Sequence, residues 1–585
     1  MAIPLEARGR IHRLPLRVLR VWARKKKTPV KWSGHRLMMA LLALFGAAVS
    51  NAQTSPSSPP GQVSTPNTPV QHVILIIQEN RTPDNLFLGD QALVHNGAHL
   101  ASSGSCHGIP IKLTPIRLDA CFDLLHTHPA WVPMYDQGKM DGACDIPVTK
   151  TQSHCFINKC SDTAYSRCPQ YSYVPNTKFD GVHGILDPYF QLAEQYGFAN
   201  YMFQTNQGPS YSAHHFLFAG TSQPDAYPTT YYDWFAEGIA PRVTVSRFGC
   251  TATLGTTMLD ISPSGSLSNA YTPPDPPGAN QGFPCYDHPT LPDVLEPAGV
   301  TWRYYGWSLT SRWTAPNSID HICKPSGFGG FCQGSAFKTG QVTGNPALVL
   351  TDLGVNGSGT QSCKLPKVSW VIPDDVWSDH PGTEGRDGGP SWVAAIVNAV
   401  GGYDNSGNKL PVQCNYWANT VILILWDDWG GFYDDVNPIA TIGGGSTGYV
   451  GGSGNSVQYV YGFRVPLIVV SPYAKKGYIS GPASNPTCPN FYCHDFGSML
   501  NFIEYAFGSN GKSLGTIGPP EWPYADFFVQ DTSPRPNNYS LYDFFDWRQT
   551  PRPFVPITGA KYSTTCFLKP TNCFTGFAPS APDSD

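Results

Sequence analysis

The sequence has no hydrophobic run of membrane-spanning length. Its most apolar stretch, Leu37–Ala48 (LMMALLALFGAA), is too short to cross a bilayer as a stable helix, so no integral membrane segment is expected in the mature form. Charge is also sparse: only 14% of residues are Asp, Glu, Lys or Arg, and the basic ones cluster at the start. Residues 1–52 carry 11 Lys and Arg against one acid, Glu6, so the remainder has a net charge of −4 minus 10, or −14. Such a chain lacks the basic face that a phosphate backbone requires, which excludes nucleic acid as a partner. Cysteine is absent from residues 1–52. All 16 follow that segment, an even number that fits disulfide pairing in an oxidising compartment. No paired CxxC surrounds Cys155, Cys160 and Cys168, which argues against a zinc cluster there. Internal repeats are missing too.

What is present reads as a globular α/β protein. Apolar residues make up 41% and aromatics 13%, while 58 Gly and 55 Pro imply long surface loops. The basic residues Arg24 to Arg36, the apolar Leu37–Ala48 and the small residues Ser50, Asn51 and Ala52 have the order of a secretory signal, assigned here to 1–52. No adjacent Arg pair occurs in it, which favours general secretion over twin-arginine export. A Ser/Thr/Pro-rich linker at 53–70 precedes a single catalytic domain at 71–557, and 558–585 reads as a tail. Within the domain, 101–175 holds six cysteines and reads as a loop-like, disulfide-tied lid or insertion. Strands are predicted at Val73–Ile77, Val300–Tyr305, Val368–Pro373, Thr420–Trp426 and Val465–Ser471. Helices are predicted at Asp187–Gln195, Thr290–Gly299, Ser391–Val400 and His494–Phe507, with another beginning near Ala213. The alternation predicts a mostly parallel sheet sandwiched by helices.

In such sheets ligands bind beyond the carboxyl ends of the strands. Glu79 and Asn80 follow the first strand, and Asp427 and Asp428 follow the strand in TVILILWDDWGG. Acidic pairs at strand ends are either turn-forming or a site for a hard divalent cation, and their convergence on one sheet edge favours the cation. Ser210, in NQGPSYSAHHF, stands where a helix begins. It can cap that helix, or it can act as a nucleophile in the positive field of the helix N-terminus. His126 (DLLHTHPAW) and His380 (WSDHPG) lie in polar loops, either solvated or placed to bind phosphate oxygens or protonate a leaving group. His214, His215 and His494 are weaker candidates, and the latter two also read as helix surface.

Together these stretches carry a resemblance. HVILIIQENRTPDNLF, DLLHTHPAWVPMYDQGKMDG, NQGPSYSAHHFLFAGTS, LPKVSWVIPDDVWSDHPG, VILILWDDWGGFYDDVNP, YGFRVPLIVVSPYAKKGYIS and HDFGSMLNFIE resemble the successive motifs of the bacterial phospholipase C and acid phosphatase phosphoesterase family, over roughly residues 70–555. The resemblance implies an alkaline-phosphatase-like fold, a divalent metal ion held by Glu79, Asn80, Asp427 and Asp428, a nucleophile at Ser210, and histidines at His126 and His380. It also implies a phosphate ester substrate, with phospholipid as one class. Two departures stand out. Asp434, Asp435 and Val436 replace Asp-His-Val after the double glycine, and Asp495, Phe496, Gly497 and Ser498 replace Asp-His-Thr-Ser, with His494 displaced. A sulfatase is disfavoured, because the Cys/Ser-x-Pro-x-Arg signature of that related fold is missing: Cys168 is followed by Pro169, Gln170 and Tyr171. The expectation is a secreted or periplasmic, metal-dependent phosphoesterase, most like a phospholipase C. The alternatives are an acid phosphatase on phosphomonoesters, or a non-catalytic surface-binding protein on the same scaffold.

Overall fold

The computed structural model describes residues 68–151, 168–224, 235–239, 247–261, 267–268, 282–355, 363–382, 387–438, 449–450, 459–481, 493–509, 512–518, 524–527 and 539–574. The leader, most of the linker, Cys155, Cys160 and nearly all of the Gly/Ser stretch at 443–455 lie outside them. The described residues belong to one compact unit.

The centre is an eight-stranded sheet. In chain order its strands are β1 (His72–Gln78), β2 (Gly197–Ala199), β3 (Trp302–Tyr305), β4 (Val342–Thr343), β5 (Val368–Val371), β6 (Thr420–Trp426), β7 (Leu467–Val470) and β8 (Tyr478–Ser480). Their spatial order is β4-β3-β5-β1-β6-β7-β2-β8. Only β7 runs against the others, so the expected mostly parallel sheet is what forms. The continuous apolar runs of β1 and β6 explain their central place: Val73 to Ile77 and Val421 to Trp426 are wholly buried, as strands covered on both faces must be.

Both faces carry helices. Leu75 of β1 lies between Trp370 of β5 and Leu423 of β6 in register, so Trp426, three residues further along, faces the opposite side from Trp370. Trp370 packs against the helix Ser210–Ala219 and donates its indole N–H to Leu217 O at 2.9 Å. On the other face, Trp426 meets Tyr189 of the helix Asp187–Gln195 edge-on at 5.1 Å. These helices, with Gly389–Val400 and Phe496–Ala506, are longer than most others in the fold. With His128–Tyr135 included, they are numbered in chain order: α1 (His128–Tyr135), α2 (Asp187–Gln195), α3 (Ser210–Ala219), α4 (Gly389–Val400) and α5 (Phe496–Ala506).

Some expectations need correction. The predicted helix at Thr290–Gly299 is a single short segment, Leu291–Leu295, closed at its start by a reciprocal Thr290/Asp293 capping box. The helix expected from His494 begins at Phe496, because Asp495 is extended and caps it while His494 pairs with Met202 in a short bridge. The described residues of the 101–175 segment, 101–151 and 168–175, are less loop-like than its composition suggests. They form a hairpin of Ser103–Cys106 with Ile109–Lys112 and the helix α1, joined around a second apolar cluster that includes Leu124, Trp131, Trp429, Phe432 and Phe463. Disulfides join Cys106–Cys144, Cys250–Cys285, Cys323–Cys332, Cys363–Cys414 and Cys566–Cys573, and the described residues include no free cysteine. Among the described residues no helix is long and apolar enough to cross a membrane.

Candidate functional site

The neighbouring parallel strands β5, β1 and β6 end at one sheet edge, and the chain beyond each of them builds the site. The β1–β6 ladder pairs Gln78 with Trp426 and runs one step further, with Asp427 N donating to Gln78 O at 2.9 Å. Past that point Asn80 turns into the left-handed region at φ 61°, which Asn tolerates better than most side chains. Its backbone N–H donates to Asp427 Oδ1 at 3.0 Å, which also accepts from Asp428 N at 2.7 Å. The two strand ends are thereby locked together by the carboxylate of Asp427.

Helix α3 approaches from the Trp370 face with its N-terminus at the same edge. Pro209 occupies the cap position, so Ser210 is the first helical residue rather than the cap. Its hydroxyl donates to Asp428 Oδ2 at 3.1 Å, while Asp428 Oδ1 accepts from Gly430 N at 2.8 Å. First-turn amides of a helix have no intrahelical partner, which makes this end of α3 a favourable place for anionic oxygens.

Glu79, Asn80, Ser210, Asp427 and Asp428 are wholly buried. The structure therefore brings together the residues expected to form the centre. His126 joins them: its Nε2 lies 3.1 Å from Asn80 Nδ2 and 4.0 Å from Asp428 Oδ2, and its Nδ1 lies 2.7 Å from Leu124 O. With Asn80 Nδ2 donating, His126 carries its proton on Nδ1, gives it to Leu124 O, and presents Nε2 as an acceptor. His380 stands one ring further out, its centroid 6.3 Å from that of His126, with Nδ1 held at 2.6 Å by Pro381 O. Both histidines are buried, at 1% and 4% exposure, so neither is a solvated loop residue.

Sequence reasoning gave too little weight to His214. It sits one helical turn after Ser210, and residues four apart share a helix face, a spacing that could have found it. Its Nε2 lies 3.1 Å from Glu79 Oε1 and 3.7 Å from Asp427 Oδ2. Burial pushes its pKa down to about 4 against the opposing pull of Asp427, so the ring is neutral and keeps a basic nitrogen at neutral pH. Trp313, not anticipated, lies beside both His214 and His380, at ring distances of 6.3 and 6.0 Å. His215 and His494, read as helix surface, are buried instead, and His494 Nε2 lies 2.8 Å from Ser480 Oγ.

The donor set fits a divalent cation. One ligand atom each from Glu79, His214 and Asp427 lies within 4.8 Å of the others. Asn80 Oδ1 and Asp427 Oδ2 are buried and accept no hydrogen bond. Buried oxygens of this kind cost free energy unless a partner arrives, and oxygen donors with an imidazole are the partners that metal ions take.

The profile of the phosphoesterase family matches residues 70–509. The chain belongs to the phosphoesterase family. That match takes in every site residue above, from Glu79 to Asp428. Curated relatives of this phosphoesterase include the non-hemolytic phospholipase C of Pseudomonas aeruginosa, 26% identical over 249 residues, 38% of this chain and 30% of that protein. Phospholipase C A of Mycobacterium tuberculosis is 27% identical over 262 residues, 42% of this chain and 45% of that protein. Non-specific phospholipase C6 of Arabidopsis thaliana is 38% identical over 141 residues, 22% and 24% of the two chains. The aligned stretches thus span less than half of each relative's length.

Proposed function

We propose that the chain is a secreted, metal-dependent phosphoesterase of the phospholipase C type, built on an alkaline-phosphatase-like fold, with Ser210 as its nucleophile. The observation that carries this reading is the Ser210 hydroxyl at 3.1 Å from Asp428 Oδ2, beside the buried Glu79, Asn80 and Asp427. The names of the curated relatives favour phospholipase C over phosphomonoesterase activity, and the disulfides favour an oxidising compartment.

Glu79, Asn80, Asp427 and Asp428 would hold the cation, with His214 as an additional ligand. When bound, it supplies positive charge that lowers the pKa of a nearby hydroxyl and offsets charge on phosphate oxygens. The chain's own residues do the rest. Ser210 Oγ attacks phosphorus as its proton passes to the carboxylate it already faces, forming the Oγ–P bond while the bond to the leaving alkoxide breaks. His380, protonated on Nε2 and oriented through Nδ1 by Pro381 O, gives the alkoxide its proton. His126 Nε2, an acceptor in this structure, draws a proton from water as it attacks the phosphoserine, and Oγ takes back its proton from the Asp428 carboxyl and is released as a hydroxyl. The amides at the start of α3 stabilise the equatorial oxygens.

Ser210→Ala should lower turnover of p-nitrophenyl phosphorylcholine and p-nitrophenyl phosphate by several orders of magnitude with the fold intact, and chelation should silence the wild type. Near-wild-type turnover by the variant refutes the nucleophile. Full activity after metal stripping makes the carboxylates structural, and hydrolysis of the monoester alone makes the enzyme a phosphatase.

A further inference from the structure

Each of the three strand ends that form the site is preceded or followed by a residue of a second, deeper network. Gln78 precedes Glu79, Trp426 precedes Asp427, and Asp379 precedes His380. Tyr189 of α2 joins them: its hydroxyl accepts from Gln78 Nε2 at 2.9 Å and donates to Asp379 Oδ2 at 2.7 Å. Trp426 Nε1 donates to the same Oδ2 at 3.2 Å. Arg81, the residue after Asn80, donates Nε and Nη2 to the carbonyl oxygen of Asp379 at 3.0 and 2.7 Å. Gln78, Arg81, Tyr189 and Trp426 are wholly buried, and Asp379 is 7% exposed. Asp379 also adopts φ 73°, a left-handed conformation that a non-glycine residue keeps only when its surroundings impose it.

This arrangement stands where strand pairing stops. The β1–β6 ladder makes its last bond from Asp427 N to Gln78 O, and β5 ends at Val371, several residues before His380. Beyond those points the relative placement of Glu79, Asp427 and His380 depends on other ties. Asp379 is where they meet, one acceptor side chain and one carbonyl reaching a residue adjacent to each of Glu79, Asn80 and Asp427.

We infer that Asp379 is a positioning residue for the cation site: held by Tyr189, Trp426 and Arg81, it sets the spacing of the ligands on β1 and β6 and thereby the affinity for a divalent ion. The inference rests on the metal-dependent reading above. Asp379 touches neither substrate nor cation and acts through its neighbours, as the hydrogen-bonded partners of ligand-bearing segments commonly do.

The test is calorimetric titration of metal-stripped protein with Mg²⁺, Mn²⁺, Ca²⁺ and Zn²⁺ separately, for wild type, Asp379→Asn, Tyr189→Phe and the double variant, beside thermal unfolding of the stripped forms. For the ion that wild type binds, each single variant should raise Kd by about 10–100-fold. The double variant should be no weaker than the poorer single one, since both act through one node. A purely structural role lowers the unfolding temperature without changing Kd. Unchanged Kd in both single variants overturns the inference while leaving the metal reading standing. Should Asp379→Asn fail to fold, Tyr189→Phe, which loses one hydroxyl, decides alone. If wild type binds none of the four ions, the metal reading falls and this inference falls with it.

Discussion

Adding one methyl group at Gly430 separates the geometry of the site from its composition. Gly430 has φ 61°, and a Cβ built on it would lie 2.4 Å from the carbonyl oxygen of Asn80 and 2.7 Å from its Cβ. Ordinary carbon contacts are roughly 3.5 Å, so the Asn80 backbone must move by about 1 Å in Gly430→Ala. Asn80 cannot move alone. Its N–H holds Asp427 Oδ1 at 3.0 Å and its amide holds His126 Nε2 at 3.1 Å, so a carboxylate and an imidazole are displaced with it. A misplacement of about 1 Å costs on the order of 100-fold in rate. The left-handed backbone adds roughly 1–2 kcal/mol of strain for alanine, and the overlap roughly 1–3 kcal/mol more, a loss that a domain of this size survives. Gly430→Ala should therefore remain folded and lose about 100-fold or more in kcat/KM on p-nitrophenyl phosphorylcholine, with unfolding followed in parallel. A folded variant within about threefold of wild type refutes the claim that Asn80 and Asp427 must hold this spacing.

Other outcomes follow from the same geometry. If His380 protonates the leaving group, His380→Gln should lose far more activity on an alkyl phosphodiester than on a p-nitrophenyl ester, whose leaving group needs little help; equal losses on both remove His380 from that role. Burial pushes His288 down to about 4, against the pull of the Pro289 carbonyl, so the folded state keeps it neutral while the unfolded chain binds a proton below about 6.5. The stability it contributes is present above pH 6.5 and is lost as pH falls towards 4, a gap of about 2.5 units or roughly 3 kcal/mol. Denaturant unfolding of His288→Phe should show a pH dependence weaker than wild type by about that amount between pH 7 and 4, and identical slopes contradict the assignment.

Much of the fold was legible because its key elements have strong local signals. The apolar runs of β1 and β6 and the Asp-Pro start of α2 place those elements within a residue of where they lie. Parallel-sheet geometry pointed to one edge for the carboxylates, since β5, β1 and β6 are neighbours ending there, while the family resemblance supplied the roles expected of them and of Ser210. What stayed hidden depends on contacts between distant segments. Ser210 reads locally as a cap, and only the approach of Asp428 from 218 positions away gives its hydroxyl another partner. His126 reads as a loop residue because the elements around it are short. It is buried all the same, held by Leu124 O and Asn80 and beside the Asp428 carboxylate, residues up to 302 positions away. Asp379 shows nothing in sequence beyond a turn, because its partners Tyr189 and Trp426 come from elements on either side of it in the chain.

The chain offers its own control for the metal assignment. A second acidic group, the buried Asp84 and Asp434 with the part-exposed Asp435, has ligand atoms within 4.8 Å of one another, as the site does. Here every carboxylate oxygen is occupied. Arg464 donates to Asp434 Oδ1 at 2.9 Å and Oδ2 at 3.1 Å, and to Asp84 Oδ1 and Asp435 Oδ1 at 3.3 Å. Asp84 Oδ2 accepts from Asp435 N at 3.2 Å, and His99 Nε2 meets Asp435 Oδ2 at 2.9 Å, so an imidazole is supplied from another segment. The guanidinium is the cation of this cluster, whereas Asp427 Oδ2 and Asn80 Oδ1 have no such partner. The two groups should respond oppositely to loss of charge in metal-stripped protein. Arg464→Met leaves two buried acids and a part-exposed one without their cation and should cost about 3–5 kcal/mol of stability. Asp427→Asn removes one of the buried acids at the site, so the stripped protein should be as stable as wild type or more so, while its binding of divalent ions is lost. Asn at 427 keeps an Oδ1 for the Asn80 and Asp428 amides, so a marked destabilisation by Asp427→Asn in the absence of metal would show that the charge on Oδ2 serves the framework and would remove the case for a cation there.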